Sequence, residues 1–135
     1  MDLYNSLYIG ASGMKSQSDR LRTVSENLAN ADSTSNVPGG EPYRRKVLTF
    51  KNYFDRELGV EKVRVHKRGF DTSAFRKAYE PGHPAADNEG YVLYPNVNTM
   101  IEMVDMKEAQ SSYEANLQSV STAKNMLMQT INLLR

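Results

Sequence analysis

Residues 98–134 run NTMIEMVDMKEAQSSYEANLQSVSTAKNMLMQTINLL, and the periodicity of this stretch decides the fold. Met103, Met106, Gln110, Tyr113, Leu117, Val120, Lys124, Leu127, Ile131 and Leu134 follow one another at steps of three and four, the spacing of a single helix face. No Pro or Gly interrupts residues 96–135. Asn96 or Asn98 can cap the start, and Glu102 and Asp105 fall in the early turns, where the helix dipole favours acids. A helix of ~35–38 residues would exceed ~50 Å at ~1.5 Å per residue, too long for the core of so short a chain. Gln110 and Lys124 on the stripe would tune register at some cost in stability.

The other end of the chain has the same rhythm. Leu3, Leu7, Gly10, Met14, Gln17, Leu21, Val24, Leu28 and Ala31 recur on a 3–4 spacing, and Leu7, Met14, Leu21 and Leu28 stand at heptad intervals. The run ADSTSNVPGG (31–40) then closes the helix with polar turn formers, Pro and paired Gly. Two stripes at opposite ends predict that the terminal helices pair as a coiled coil. Tyr4, Tyr8, Ile9, Met100, Ile101, Val104, Met126 and Met128 lie off the stripes, and exposed apolar flanks of this kind point to contacts with other subunits.

Between the helices, YRRKVLTFKNYF (43–54) and VEKVRVHKR (60–68) are rich in β-branched and aromatic residues and flank DRELG. They predict a small hairpin, marginal alone and resting on the helices or on a neighbour. The expected fold is mainly α, with long N- and C-terminal helices and a small β-hairpin-containing middle insertion. Its segments are an N-terminal helix in 1–35, a middle of short strands and connector loops in 36–95, and a C-terminal helix in 96–135.

Composition narrows the function. The chain has 135 residues, 39% of them hydrophobic, no Trp, four Phe and a mean hydropathy of −0.61, so apolar burial is expected to be completed against a partner. No Cys is present, which excludes disulfides and thiolate metal sites. The opening MDLYNSLYIGASGMK lacks the basic start and apolar run of a cleaved signal, and no stretch is apolar enough to span a membrane. Net charge is +1, yet residues 43–77 hold eleven Lys/Arg against four Asp/Glu.

The histidines are His66 and His83. His83, Asp87 and Glu89 lie in PGHPAADNEGYVLYPNVNTM (81–100), but the intervening PAA imposes a turning backbone and no ligand spacing results. Neither histidine joins a nucleophile and an orienting acid, and phosphate-cradling glycine loops are absent. No catalytic residue, metal, cofactor or small-molecule substrate is therefore expected. The basic middle, with Arg44, Arg45, Lys46, Lys62, Arg64, Lys67 and Arg68 beside Tyr43, Phe50, Tyr53 and Phe54, supports one alternative, a helical nucleic-acid-binding protein with steep salt dependence. Strand alternation splits those charges between two faces, which argues against it.

The run SGMKSQSDRLRTVSENLANADST (12–34) resembles the N-terminal signature of flagellar rod and hook axial proteins, centred on Ser25-Glu26-Asn27-Leu28-Ala29-Asn30-Ala31. The C-terminal run resembles the same family's terminal helix at Met103-Val104, Glu108-Ala109-Gln110, Tyr113-Glu114-Ala115-Asn116 and Ser121-Thr122-Ala123. PGGEPYRRK (38–46) and PGHPAADNEGYVLYPNVN (81–98) look like the short proximal-rod members of that family.

The resemblance implies a structural subunit that polymerises, with copies of itself and other rod proteins, into the hollow drive shaft carrying torque from the MS ring to hook and filament. It implies export by the flagellar type III apparatus without a cleaved signal, a periplasmic place in the basal body, and contact with the MS ring or an adaptor to it. The implied assembly residues are Leu7, Met14, Leu21, Val24, Asn27, Leu28 and Asn30 in the first helix. In the second they are Met103, Met106, Tyr113, Asn116, Leu117, Val120, Leu127, Ile131 and Leu134. The implied connector residues are Pro81, Gly82, Pro84, Gly90, Tyr91, Tyr94, Pro95 and Asn96, whose neighbouring His and acids would be solvated or bonded to local backbone.

Overall fold

The computed structural model describes residues 3–134. Helix α1 (Leu3–Ala29) and helix α2 (Thr99–Leu133) stand where the 3–4 periodicity predicts them. Asn98, rather than Asn96, caps α2: its Oδ1 accepts from the N–H groups of Met100 at 3.0 Å and Ile101 at 3.4 Å. At the end of α1, the Glu26 carbonyl accepts both the backbone N–H of Asn30 at 3.2 Å and its side-chain amide at 2.8 Å.

Four strands lie between the helices. Strands β1 (Lys46–Asp55) and β2 (Val60–Phe70) pair, and so do β3 (Arg76–Tyr79) and β4 (Tyr91–Tyr94). The link between β1 and β2 is too short for a parallel crossover, so they form an antiparallel hairpin. Gly59 turns its corner with φ of 63°, its N–H donating to the Asp55 carbonyl at 2.8 Å. The expected hairpin is present with DRELG at its turn. The β3–β4 pair is an addition, with Arg76 opposite Tyr94 and Tyr79 opposite Tyr91. Four residues of the stretch read as a connector, Tyr91–Tyr94, therefore form a strand.

The chain divides into two compact units. The first comprises Met1–Leu21, Leu48–Lys67 and Lys107–Arg135. Within it α1 and α2 run antiparallel: a Cβ on Gly10 would stand 2.6 Å from Val120 Cγ2, one on Gly13 2.9 Å from Asn116 Nδ2, and Arg20 pairs with Glu108 at 3.1 Å. Ala109 and Ala123 are buried on α2, while Gln110, Leu117 and Lys124 are exposed. This corrects the expected stripe. The column of Met106, Tyr113, Val120 and Leu127 is at least half-buried as expected, but its companion is displaced by one residue, to Glu102, Ala109, Asn116 and Ala123. Two glycines on α1 bring the helices too close for Leu117, and small side chains take the inner positions. Ile131 and Leu134 are exposed as well.

The second unit comprises Arg22–Val47 and Arg68–Met106. Val24, Ala31, Ala85, Val92 and Pro95 are buried in it. The first turns of α2 direct Glu102, 0% exposed, inward and leave Met103 53% exposed. A core this thin rests heavily on polar contacts.

Candidate functional site

Those contacts centre on Asn27, a single residue whose four hydrogen-bonding positions are all used. Its Nδ2 donates to the Lys46 carbonyl at 2.9 Å and to Glu102 Oε2 at 3.1 Å. Its Oδ1 accepts from the Lys46 N–H at 2.9 Å and the Tyr43 hydroxyl at 2.8 Å. The amide thus engages the first residue of β1 through both backbone groups, as a neighbouring strand would.

Arg45 completes the clamp. Its Nε donates to Glu102 Oε1 at 2.6 Å, and its guanidinium stands 3.6 Å from both Asp71 and Asp105. Its backbone N–H donates to Asn96 Oδ1 at 2.9 Å, while Asn96 Nδ2 donates to the Asp71 and Ser73 carbonyls and to the Ser73 hydroxyl. Asn96 therefore ties the approach to α2 to the approach to β1 instead of capping the helix. Burial lowers the Arg45 pKa, but the Glu102 hydrogen bond and the surrounding carboxylates outweigh it, and the net direction is upward. The Ser73 backbone N–H, then its hydroxyl, with Arg45 adding charge, draws the Asp71 carboxyl below the ordinary range. Burial raises the Tyr43 hydroxyl. At the rim, Lys46 donates to Glu26 at 2.9 Å, lowering the carboxyl and raising the ammonium.

In the first unit α1 performs the same service with hydroxyls. Ser12 Oγ accepts from the Val63 N–H at 3.4 Å, and Ser16 Oγ donates to the Val63 carbonyl at 3.1 Å. Serines one turn apart thus satisfy the edge of β2, which would otherwise present unpaired groups.

Among the α1 assembly residues, Val24 and Asn27 are buried, and Leu7, Met14, Leu21, Leu28 and Asn30 are half-buried. On α2, Met106, Tyr113, Asn116, Val120 and Leu127 are half-buried, whereas Met103, Leu117, Ile131 and Leu134 are exposed. In the connector, Pro95 is buried and Gly90 adopts φ of 82°, where a Cβ would also meet the Tyr79 ring at 3.0 Å. Gly82 faces open space, and Pro81 and Pro84 are exposed. Tyr91 packs edge-on against Tyr79 at 5.3 Å, and the Tyr94 hydroxyl donates to Glu80 at 3.1 Å beneath Arg76. Asp87 Oδ1 accepts from the N–H groups of Glu89 and Tyr91, and His83 Nδ1 accepts from that of Ala85, so both serve the local backbone. No His/Cys/Asp/Glu group placed to hold a metal occurs among the described residues. Tyr43, Arg45, Lys46 and Glu102 are clamp members that sequence reasoning missed; Glu102 was legible only as an acid in an early helical turn.

Residues 7–36 match the model of the flagella basal body rod protein family, and residues 88–133 match that of the flagellar basal body rod FlgEFG protein C-terminal region. The flagellar basal-body rod protein FlgC of Agrobacterium fabrum is 52% identical over 127 residues, covering 94% of this chain and 91% of that protein. FlgC of Aquifex aeolicus is 41% identical over 131 residues, covering 96% of each chain. FlgC of Escherichia coli O157:H7 is 38% identical over 133 residues, covering 98% of each. The chain belongs to the FlgC family of flagellar basal-body rod proteins. It is a structural rod protein rather than an enzyme. Asn27 lies in the first matched segment and Asn96 and Glu102 in the second, while Tyr43, Arg45 and Lys46 fall between them. The clamp of this FlgC-family chain therefore joins both rod signatures to the middle that separates them. The basic middle belongs to a structural subunit, and the nucleic-acid reading is set aside.

Proposed function

We propose that the chain polymerises with copies of itself and other rod proteins into the proximal part of the hollow shaft that carries torque from the MS ring. On this reading it is exported by the flagellar type III apparatus without a cleaved signal, assembles in the periplasm, and stands near the MS ring or its adaptor. Its terminal helices pair as a coiled coil and line the tube. Loop-poor helices repeated in head-to-tail contact build an open helical tube, and many interlocked seams spread torsional load.

One observation carries the proposal. Met103, Leu117 and Ile131 on α2 are apolar side chains that remain more than half exposed. Leu117→Asp tests it, because this side chain is outside the α1–α2 seam. The expected outcome is a chain that folds and is exported but yields no rods by electron microscopy of basal bodies. Normal rods from that variant would overturn the reading.

A further inference from the structure

Charge is divided between the two units. The first carries ten Lys/Arg against seven Asp/Glu, the second seven against nine. Within the first unit, the Val63 backbone of β2 is bonded to Ser12 and Ser16, and both broad faces of the hairpin remain largely open. Lys62 pairs with Asp55 at 2.8 Å and Arg64 stacks on the Tyr53 ring at 4.4 Å, so these four share one face. Strand alternation extends it to Lys51 and His66. The only carboxylate it places there, Asp55, is already engaged by Lys62. Lys51 and Arg64 are exposed cations with no acidic partner among the described residues.

The complement is present on the same chain, in the second unit. Glu41 and Glu89 are exposed and form no ion pair among the described residues. Their loops are neighbours: the Gly39 N–H donates to the Ala85 carbonyl at 3.2 Å, and a Cβ on Gly39 would lie 3.7 Å from Asp87 Cβ.

We infer that the basic, aromatic face of the β1–β2 hairpin docks on the Glu41 and Glu89 loops of a second copy of this chain. Charge complementarity carried by a single sequence selects a copy as the occupant. A contact between two different surfaces of identical chains is heterologous, the kind that propagates along a filament. Opposed charges at such a contact set register and hasten encounter. The Arg64 guanidinium sits over the Tyr53 ring at 4.4 Å and offers a fork of donors suited to a carboxylate. The inference rests on the assembly reading above and adds to it which surfaces meet.

The test is charge reversal in the full chain, replacing the native copy in its own bacterium. Lys51→Glu with Arg64→Glu, and separately Glu41→Lys with Glu89→Lys, should each reduce rods per cell about tenfold or more, since like charges oppose at the contact. The chain carrying all four should regain most of that loss, because both surfaces are then inverted together. Thermal unfolding followed by circular dichroism identifies any variant that fails to fold; Lys51→Gln with Arg64→Gln replaces it, with a smaller loss expected. Normal rods from the basic reversal would overturn the inference, as would failure of the fourfold variant to exceed either double. Loss confined to the basic reversal would indicate a different acidic partner and equally overturn docking between copies. Leu117→Asp in parallel separates the two ideas: if it abolishes rods while both charge reversals assemble normally, the assembly reading stands and this inference alone falls.

Discussion

Replacing Asn27 by Asp exchanges one NH2 group for an oxygen and leaves the volume of the clamp unchanged. In the native chain that NH2 donates to the Lys46 carbonyl at 2.9 Å and to Glu102 at 3.1 Å. Both bonds vanish, one to a neutral acceptor and one to a charged one, together about 2–4 kcal/mol. The new oxygen also faces two acceptors, one of them a carboxylate, at hydrogen-bonding distance. Repulsion on that scale is limited because the introduced carboxyl can take up a proton and recover one donor. The expected cost near neutral pH is therefore about 3–5 kcal/mol, the range for breaking a buried charged network. Against a domain stability of ~5–15 kcal/mol, this is a large share.

The proton gives the prediction a second, independent sign. Burial and Glu102 disfavour the charged form of the introduced carboxyl, so its folded pKa lies above its unfolded value of about 3.9. A raised folded pKa contributes stability that is fully present below the unfolded pKa and lost as pH rises through the folded one. The penalty of Asn27→Asp must then be smaller in mild acid than at pH ~8, whereas Asn27→Ala, which introduces no titrating group, shows no such relief. Urea unfolding of the purified chains by circular dichroism at both pH values measures this. A cost under about 1 kcal/mol, or one identical at the two pH values, would refute the assignment of Asn27 as the donor that holds Glu102 and Lys46.

Two further outcomes follow from the packing and the ion pairs. Gly10→Ala gains up to about 1 kcal/mol of helix propensity but drives a methyl to 2.6 Å from the stiff Val120 side chain, so a net loss of about 1–2 kcal/mol is expected. The same change made with Val120→Ala should instead be neutral or favourable, and a double-mutant cycle without coupling would show that the helices do not meet there. The carboxyls of Glu26, held by Lys46, of Asp55, held by Lys62, and of Asp71, held by Ser73 and Arg45, are all lowered in the folded chain. Their stabilisation is present above the unfolded carboxylate range and lost as pH falls through the folded values. Thermal midpoints should be level from neutrality to pH ~5 and decline below ~4, and a curve flat to pH ~3 would contradict these pairings.

Both long helices and the first hairpin were legible because their periodicity is local. The inner column of α2 was not. A stripe read by apolarity selects the largest hydrophobes, Met103 and Leu117, but the partner helix decides how much room exists. Gly10 was visible in the sequence as a position of the α1 stripe; the close approach that it and Gly13 make to Val120 and Asn116 depends on the antiparallel pairing that sets those residues opposite. The second hairpin escaped for a different reason. Tyr91–Tyr94 is four residues long and its partner lies across an eleven-residue loop of Pro, Gly and acids, so neither strand carries a pattern of its own. The clamp was least legible, since Asn27 and Glu102 are 75 residues apart. The N-terminal signature singled out Asn27, but no local feature singled out Arg45.

The clamp also accounts for which face the first turns of α2 direct inward. Turning those first turns slightly would bring Met103 inward in place of Glu102 and would bury more apolar surface there. Opposing that turn are the bonds of Asn27 and Arg45 to Glu102, whose carboxylate is too costly to move without its partners. A buried ion pair of this kind is weak as a source of net stability and well suited to fixing register. It holds Glu102 inside and leaves Met103 outside. The polar signature of the first helix and the exposed Met103 of the second are thus two parts of one arrangement, in which a polar network, and not apolar burial, sets how the first turns of α2 face.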